Sequence, residues 1–286
     1  MNNNLKTVGL LSLMTVLVFW LGYTLGGEGG LWIGIVLAFG LNFVAYFFSD
    51  KMALAASRAR PADEAQIPEL FSIVRNLTTQ AGLPMPRLHL IDSPQPNAFA
   101  TGRNPEHAAV AVTTGILQVM NREELTGVIA HELSHVQNRD ILISSVAAML
   151  AAALSIFGRM ALFMGGGRDE RGNPLAGIAA LLSIIIAPIA AMIIRMAISR
   201  AREYQADRSG AEITGQPLQL ASALAKLGAA TERVPMQVNP AVSQLFIADP
   251  LKAFRGRRGG GMMSLFATHP PIEDRIERLQ AIAAGA

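Results

Sequence analysis

Four long apolar segments constrain the fold of this chain more than any other feature. They run from Val8 to Gly26, from Leu31 to Phe48, from Ile141 to Met164 and from Ala176 to Ile194. A helix needs about 20 apolar residues to cross a bilayer, and each segment reaches or approaches that length. The hydrophobic content of 51% is also higher than in most soluble proteins. The sequence therefore predicts an integral membrane protein.

The first two segments predict a hairpin anchor that is retained in the protein. The first apolar run is longer than the core of a signal peptide, and no small-residue cleavage site follows it. The turn is "GGEGG", and Trp20, Tyr23 and Trp32 lie near it, as in an interfacial aromatic belt. Basic residues flank the outer ends of the hairpin, whereas the turn carries only Glu28. The positive-inside rule therefore places both ends of the hairpin in the cytoplasm.

The third and fourth segments allow two interpretations. Arg159 lies within the third segment, Arg195 lies beside the end of the fourth, and Pro188 would kink the fourth. The two segments either cross the membrane or pack as buried helices.

Outside these segments the residue pattern predicts further helices and a small β-sheet. Apolar residues recur at helical spacing in residues 67–81, 220–227 and 272–282. Asn121 and Glu124 have the spacing of a capping box and predict the start of another helix.

Two short segments, "PRLHLID" and "HAAVAVTT", have the composition of strands. The loop "SPQPNAFATGRNPE" between them leaves room for an edge strand, and His89 and His107 are interpreted as strand and turn residues. The chain thus divides into a hairpin (1–50), a compact unit (51–140), two apolar helices (141–198) and a second polar part (199–286). The predicted fold class is an integral membrane protein, mainly α with a small β-sheet.

Composition excludes several classes of site. Cysteine is absent, which removes disulfides, thiolate catalysis and cysteine-ligated metals. The net charge is only +3 and the basic residues are dispersed, so no nucleic-acid partner is expected. Any metal must bind to His, Asp or Glu.

The stretch "VIAHELSHVQNRD" contains the pattern H-E-x-x-H. His131 and His135 are four residues apart, so on a helix both imidazoles project from one face and can share one cation. In this pattern the two His bind Zn²⁺ and the carboxylate, here Glu132, acts as general base. The alternative is a pair of surface His on an amphipathic helix. Because charged residues flank the motif on both sides, we place it at the membrane surface.

A catalytic zinc needs a third protein ligand, and "REYQADR" is the best candidate segment. Glu203 and Asp207 repeat the four-residue spacing. Glu203 could bind the metal while Asp207 accepts a hydrogen bond from the far nitrogen of a ligand His. The alternative is a solvated charged face that also includes Arg202 and Arg208.

The order of "PNAFATG", "HELSHVQNRD", "SRAREYQADR" and "THPP", with two apolar segments on each side of the second motif, resembles the HtpX-type membrane-bound zinc metalloproteases. These are gluzincins related to the CAAX prenyl endopeptidases. The resemblance covers essentially the whole chain. It implies a zincin-like catalytic domain on transmembrane helices, with Glu203 as third ligand and Asp207 as its supporting partner. It also implies that His269 stabilises the oxyanion. Asn97 and its neighbours in "PNAFATG" resemble a substrate-contacting edge whose backbone groups pair with an extended peptide, the alternative being a loop Asn in a turn.

The expected function is that of a zinc endopeptidase with one Zn²⁺ per chain. The resemblance implies a multi-pass protein of the bacterial inner membrane that cleaves misfolded or damaged membrane proteins at the cytoplasmic face. Its partners would be polypeptide substrates and the lipid bilayer. Two alternatives are a site-2 type intramembrane protease and a non-enzymatic zinc-binding scaffold or transporter. Cleavage specificity, oligomeric state and the role of the 255–263 loop are not determined by the sequence.

Overall fold

The computed structural model of the protein describes residues 3–148, 150, 200–240, 242–255 and 270–285. Most of the third apolar segment, all of the fourth, most of the 255–263 loop and His269 lie outside the described residues. The helices are α1 (Asn3–Ala56), α2 (Pro68–Ala81), α3 (Thr114–Val119), α4 (Arg122–Gln137), α5 (140–148), α6 (Arg200–Thr214), α7 (Pro217–Arg233), α8 (Lys252–Arg255) and α9 (Ile272–Ala283). The strands are β1 (Arg60–Pro61), β2 (Arg87–Ile91), β3 (Ala98–Thr101) and β4 (Ala109–Thr113).

The element α1 is a helical hairpin, because its backbone leaves helical geometry at residues 26–27. The observed turn therefore has two residues, whereas the sequence predicted five. The two arms approach so closely that a Cβ atom on Gly22 would collide with the carbonyl oxygen of Gly30. Further along the hairpin, Asn42 Nδ2 donates a hydrogen bond of 2.7 Å to Thr15 Oγ1. The arms thus run side by side for most of their length.

One described helix, Gly26–Ala56, is long and apolar enough to cross a bilayer, whereas the apolar helix Thr7–Trp20 is shorter. Many large apolar side chains of the hairpin face outward; Phe39, for example, is 70% exposed. The second arm continues through residue 50, where Asp50 forms an ion pair of 2.5 Å with Arg87 on β2. The hairpin is therefore joined directly to the unit that follows it.

The start of the third apolar segment is helical and packs on the hairpin. Residues of α5 form one buried apolar cluster with residues of both arms of α1. Its buried members are Leu10, Met14, Ala45, Ile143, Val146, Ala147 and Leu150.

The predicted small sheet is present and is mixed, with strand order β1-β2-β4-β3. Strands β2 and β4 are parallel, and β3 pairs antiparallel with β4 at the sheet edge. The loop between the two predicted strands thus does contain an edge strand. His89 lies in β2, and His107 ends a short 3-10 helix. Strand β1 has only two residues, too few to produce a sequence pattern.

The sheet and helices α2–α4, α6, α7 and α9 share one apolar core and form a second unit beside the hairpin. Helix α4 lies at its centre and contacts α2, α6, α7 and β3. It begins with the predicted capping box, in which Asn121 and Glu124 each accept a hydrogen bond from the other's backbone N–H. Helix α6 comes very close to α4: a Cβ atom on Gly210 would lie 3.0 Å from the backbone nitrogen of His131. The absence of a side chain at Gly210 therefore determines how near α6 lies to the motif helix.

Candidate metal centre and cleft

Three side chains converge where α4 and α6 meet. One nitrogen or oxygen atom from each of His131, His135 and Glu203 lies within 4.8 Å of the others. The two Nε2 atoms are 3.3 Å apart. The oxygens of Glu203 lie 3.8 Å from His131 Nε2 and 3.6 Å from His135 Nε2. The structure thus brings together the three residues that the sequence suggested as metal ligands.

The far nitrogen of His131 is held by an acidic residue and an arginine. Asp207 Oδ1 lies 2.9 Å from His131 Nδ1. Arg275 from α9 donates to Asp207 from both Nε (2.8 Å) and Nη2 (2.7 Å), and it donates from Nη1 to the carbonyl of Ile247 at 3.1 Å. Arg275 is fully buried. Asp207 therefore takes the position that the sequence suggested, and Arg275 fixes it there.

The far nitrogen of His135 has a similar but looser arrangement. Asp140 Oδ2 lies 3.3 Å from His135 Nδ1. The other oxygen of Asp140 is 3.7 Å from a guanidinium nitrogen of Arg202. Asp140 lies at the start of α5, in the turn that follows the motif helix.

The donor set fits a tetrahedral zinc ion. When Nδ1 of each imidazole donates to a carboxylate, Nε2 carries a lone pair, so in the neutral state the two lone pairs face each other. Zinc–nitrogen bonds of about 2.0–2.1 Å at tetrahedral angles separate two nitrogens by about 3.3 Å. The observed spacing is 3.3 Å.

The charges around the three candidate ligands also favour a divalent cation. Among the described residues, four carboxylates (Glu132, Asp140, Glu203 and Asp207) lie close to two guanidinium groups, those of Arg202 and Arg275. When these groups are ionised and both imidazoles are neutral, as metal binding requires, the cluster has a surplus of two negative charges. A Zn²⁺ ion would neutralise that surplus.

The two imidazoles differ in pKa when no metal is bound. Burial lowers the pKa of His131 to about 4. Burial also opposes protonation of His135, but the hydrogen bond with Asp140 and the charges of Glu203 and Glu132 outweigh it and raise its pKa to about 8. His135 therefore holds a proton near neutral pH, and a cation would replace that proton.

Glu132 lies in the wall of the cleft formed around these residues. It is 2% exposed, and burial raises the pKa of its carboxyl to about 7. The backbone N–H of Ala100, on the edge strand β3, donates a hydrogen bond to this carboxyl. The arrangement provides a carboxylate that can gain or lose a proton near neutral pH.

Asn97 does not line the cleft. Its side chain is fully buried, where Nδ2 donates to the carbonyl of Ala248 at 2.8 Å and Oδ1 accepts from the backbone N–H of Ala98 and of Ala248. These bonds hold the segment around residue 248 against β3. Direct contact between Asn97 and substrate, as the resemblance implied, would require these bonds to break; the edge-strand residue that faces the cleft is Ala100.

Sequence reasoning missed Arg275 and Asp140. A signal for Arg275 was available, because it lies three residues after Ile272 and four before Leu279, on the face of α9 that packs into the core. Asp140 gave only a weak signal, since it sits in a turn without periodicity. His269 lies outside the described residues.

Comparison with known proteins identifies the family. A model of peptidase family M48 matches residues 64–283. A protein named protease HtpX homolog from Burkholderia mallei strain SAVP1 is 50% identical over 99% of this chain and 98% of its own length. A homolog of the same name from Burkholderia pseudomallei strain 668 matches to the same extent.

Among solved structures, the crystal structure of S. mikatae Ste24p resembles this chain with a TM-score of 0.52 and 19% identity. The match covers 96% of this chain and 64% of the Ste24p chain. At this identity the likeness concerns the fold alone. The family model and the relatives together show that the chain belongs to peptidase family M48 and is a metalloendopeptidase.

Proposed function

We propose that the chain is a membrane-bound, zinc-dependent endopeptidase that cleaves misfolded or damaged membrane proteins at the cytoplasmic face of a bacterial inner membrane. The observation that carries the catalytic part is the convergence of His131, His135 and Glu203 beside the buried carboxyl of Glu132. The apolar helix Gly26–Ala56 supports attachment to a membrane. The choice of substrates rests on the resemblance noted in the sequence.

His131, His135 and Glu203 are the proposed protein ligands of one Zn²⁺ per chain. Zinc in such a site polarises the substrate carbonyl and makes water more acidic. Asp207 and Asp140 keep the two imidazoles in the tautomer whose Nε2 faces the metal. Among the described residues the ligand group has three members, which is typical of catalytic zinc sites, whereas structural sites usually have four protein ligands. This favours an enzyme over a zinc-binding scaffold or transporter.

Glu132 is the proposed general base and acid. Its carboxylate takes a proton from the attacking water and then returns that proton to the nitrogen of the departing amine. In the metal-free protein burial raises the pKa of this carboxyl to about 7, and a nearby Zn²⁺ would lower it, which favours the carboxylate form that accepts the proton. The hydrogen bond from Ala100 fixes one side of the carboxyl at the sheet edge.

His269 is proposed to stabilise the oxyanion, as the resemblance implies. Supporting this, Arg275 lies a few residues further along the chain and is buried beside His131. The start of α9 is therefore close to the metal centre.

The catalytic proposal is tested with detergent-purified protein. Glu132→Gln should retain zinc and fold but abolish cleavage of casein, because the amide cannot accept the proton. Casein cleavage at the wild-type rate by this variant would disprove the mechanism. Separately, Glu203→Ala should lower the zinc content, and a full equivalent of zinc in that variant would reject Glu203 as a ligand.

The orientation is tested by labelling single cysteines, for which the cysteine-free chain is a suitable background. Exposed positions are available at Glu28 in the hairpin turn, at Arg122 on α4 and at Arg208 on α6. An impermeant maleimide added to spheroplasts should label Glu28→Cys at once. It should label Arg122→Cys and Arg208→Cys only after the membrane is permeabilised. Labelling of Arg122→Cys and Arg208→Cys from opposite sides would rule out the shared metal site.

A further inference from the structure

In the part of the chain that the structure describes, one buried amide in the cleft lacks a hydrogen-bond partner. Gln244 is 5% exposed, and neither its Nε2 nor its Oε1 bonds to any described residue. It lies in the 3-10 helix Ser243–Leu245 and lines the same cleft as Glu132 and Glu203. Buried polar groups in folded proteins are almost always paired, so an unpaired amide calls for an explanation.

A second buried glutamine shows the usual arrangement. Gln95 is fully buried, and its Nε2 donates to the carbonyls of Val234 at 2.5 Å and of Pro250 at 3.2 Å. Gln95 does not line the cleft. Gln95, which lies away from the cleft, is thus paired, whereas Gln244, which faces the cleft, has no partner among the described residues.

The backbone around Gln244 is firmly held. The N–H of Ile247 donates to the carbonyl of Ala98 on β3 at 2.9 Å. The ring of Phe246 packs edge-on against Phe99 with centroids 4.9 Å apart. The backbone that carries the amide is thus held beside the edge strand before any ligand arrives, which reduces the entropy that binding must overcome.

We propose that the side-chain amide of Gln244 hydrogen-bonds a peptide group of the substrate close to the scissile bond. A primary amide has one carbonyl oxygen and two N–H donors, which complement the N–H and C=O of a peptide group. Contact with the backbone does not depend on the substrate's side chains. The proposal rests on the proposed function, since it assumes that a polypeptide occupies the cleft.

The first test is Gln244→Met, which keeps the length of the side chain and removes its hydrogen bonds. Cleavage of a quenched fluorescent peptide should show kcat/KM lowered by about tenfold or more, while zinc content and melting temperature stay at wild-type values. The matched control is Gln80→Met, at an exposed position on α2, which should leave kcat/KM unchanged.

The decisive test pairs this variant with peptides in which one backbone amide near the scissile bond is replaced by an ester. The ester lacks the N–H and is a weaker acceptor, so the wild-type enzyme should lose kcat/KM most strongly at one position. At that position, the ester should reduce kcat/KM of the Gln244→Met enzyme by a factor at least about fivefold smaller than in wild type, as expected for directly interacting groups. Because each enzyme is compared with itself on two peptides, the ratio does not depend on the fraction of folded protein.

The outcomes separate the two proposals. If the wild type cleaves the peptides and both enzymes respond equally to every ester, the assignment of Gln244 is overturned and the proposed function stands. If the zinc-loaded wild type cleaves none of the peptides or casein, the proposed function is overturned and the assignment of Gln244 falls with it.

Discussion

The two sides of the metal centre use the same residue types but differ in how tightly these are held. The inner triad is His131, Asp207 and Arg275; the contacts of Asp207 with the other two measure 2.7–2.9 Å, and the three side chains are at most 3% exposed. The outer triad is His135, Asp140 and Arg202; its contacts measure 3.3 and 3.7 Å, and its side chains are 5–16% exposed.

This difference follows from where the supporting residues lie. The inner triad joins α4, α6 and α9, which belong to the core of the second unit. The outer triad includes Asp140 at the start of α5, and α5 packs on the hairpin. The inner triad therefore links one imidazole to the core, whereas the outer triad links the other imidazole to a helix that packs on the apolar hairpin α1.

The largest contrast is expected in stability when each arginine is removed. Arg275→Met leaves Asp207 buried without its partner and should cost about 3–5 kcal/mol, because breaking a buried ion pair strands the remaining charge. Arg202→Met removes a looser contact with Asp140, which still lies beside His135, and should cost less, about 1–3 kcal/mol. Melting temperatures in detergent, measured in the Glu132→Gln background to prevent self-cleavage, compare the two. Equal losses would show that the triads are equally tight.

The next contrast concerns metal affinity. Losing a carboxylate that orients a ligand imidazole weakens metal binding by about 10- to 100-fold. We expect zinc affinity to decrease about 100-fold in Asp207→Asn and about 10-fold in Asp140→Asn, as measured by competition with a chromogenic chelator. The double variant Asp207→Asn with Arg275→Met controls for the arginine left unpaired. A greater loss of zinc affinity in Asp140→Asn than in Asp207→Asn would show that the outer triad supports metal binding more strongly than the inner triad.

A third contrast appears in the pH dependence of the zinc-free protein. The pKa of His135 is raised to about 8, so its stabilising contribution is present below pH 6.5 and is lost as the pH rises through 8. Burial opposes ionisation of Asp207, but the charge and hydrogen bonds of Arg275 lower its pKa to about 2, so that contribution is present above pH 3.8 and is lost as the pH falls through 2.

We therefore expect the melting temperature of zinc-free wild type to decrease between pH 6.5 and 8, because both His135 and Glu132, whose pKa is raised to about 7, lose protons there. The contribution of His135 is on the order of 1 kcal/mol. Asp140→Asn should reduce this decrease, because it removes the hydrogen bond that raises the pKa of His135. Asp207→Asn serves as the control and should preserve it. An unchanged slope in Asp140→Asn would show that the outer triad does not control this proton.

The smallest contrast separates geometry from charge. Arg275 contacts Asp207 through two nitrogens, which one ammonium group cannot reproduce, so Arg275→Lys should weaken zinc binding several-fold. Arg202→Lys keeps the charge at a single long contact and should stay within about twofold of wild type. Similar losses in both variants would indicate that charge alone matters on both sides.

The parts of the site that could be predicted from the sequence are those set by the helical repeat. His131 and His135 share a face because they are four residues apart, and the same holds for Glu203 and Asp207. The spacing of Arg275 from Ile272 and Leu279 places it on the buried face of α9, but its pairing with Asp207 depends on how α9 packs across α6. Gln244 lies in a loop segment without periodicity, and its significance appears only from its burial in the cleft.

The fold also divides into elements that the sequence predicted and contacts that depend on packing. Helices α2, α4, α7 and α9 and strands β2 and β4 follow from apolar spacing, caps and β-branched content. The motif around Asn97 was expected to form a substrate-contacting edge, and β3 does lie at the sheet edge beside the cleft. The hydrogen bond from the Asn97 side chain to the carbonyl of Ala248, 151 residues along the chain, depends on loop packing and could not be predicted from the sequence alone.

The close approach at Gly210 has a consequence for the choice of metal ion. Gly210 lies on the same helix as Glu203 and fits against the backbone of His131, so it determines how far the carboxylate stands from the two imidazoles. Cations differ in ionic radius, and a ligand set at fixed separation favours the radius that matches it. In the proposed zinc site, selectivity against larger divalent ions would therefore depend in part on a residue that has no side chain and lies outside the ligand set.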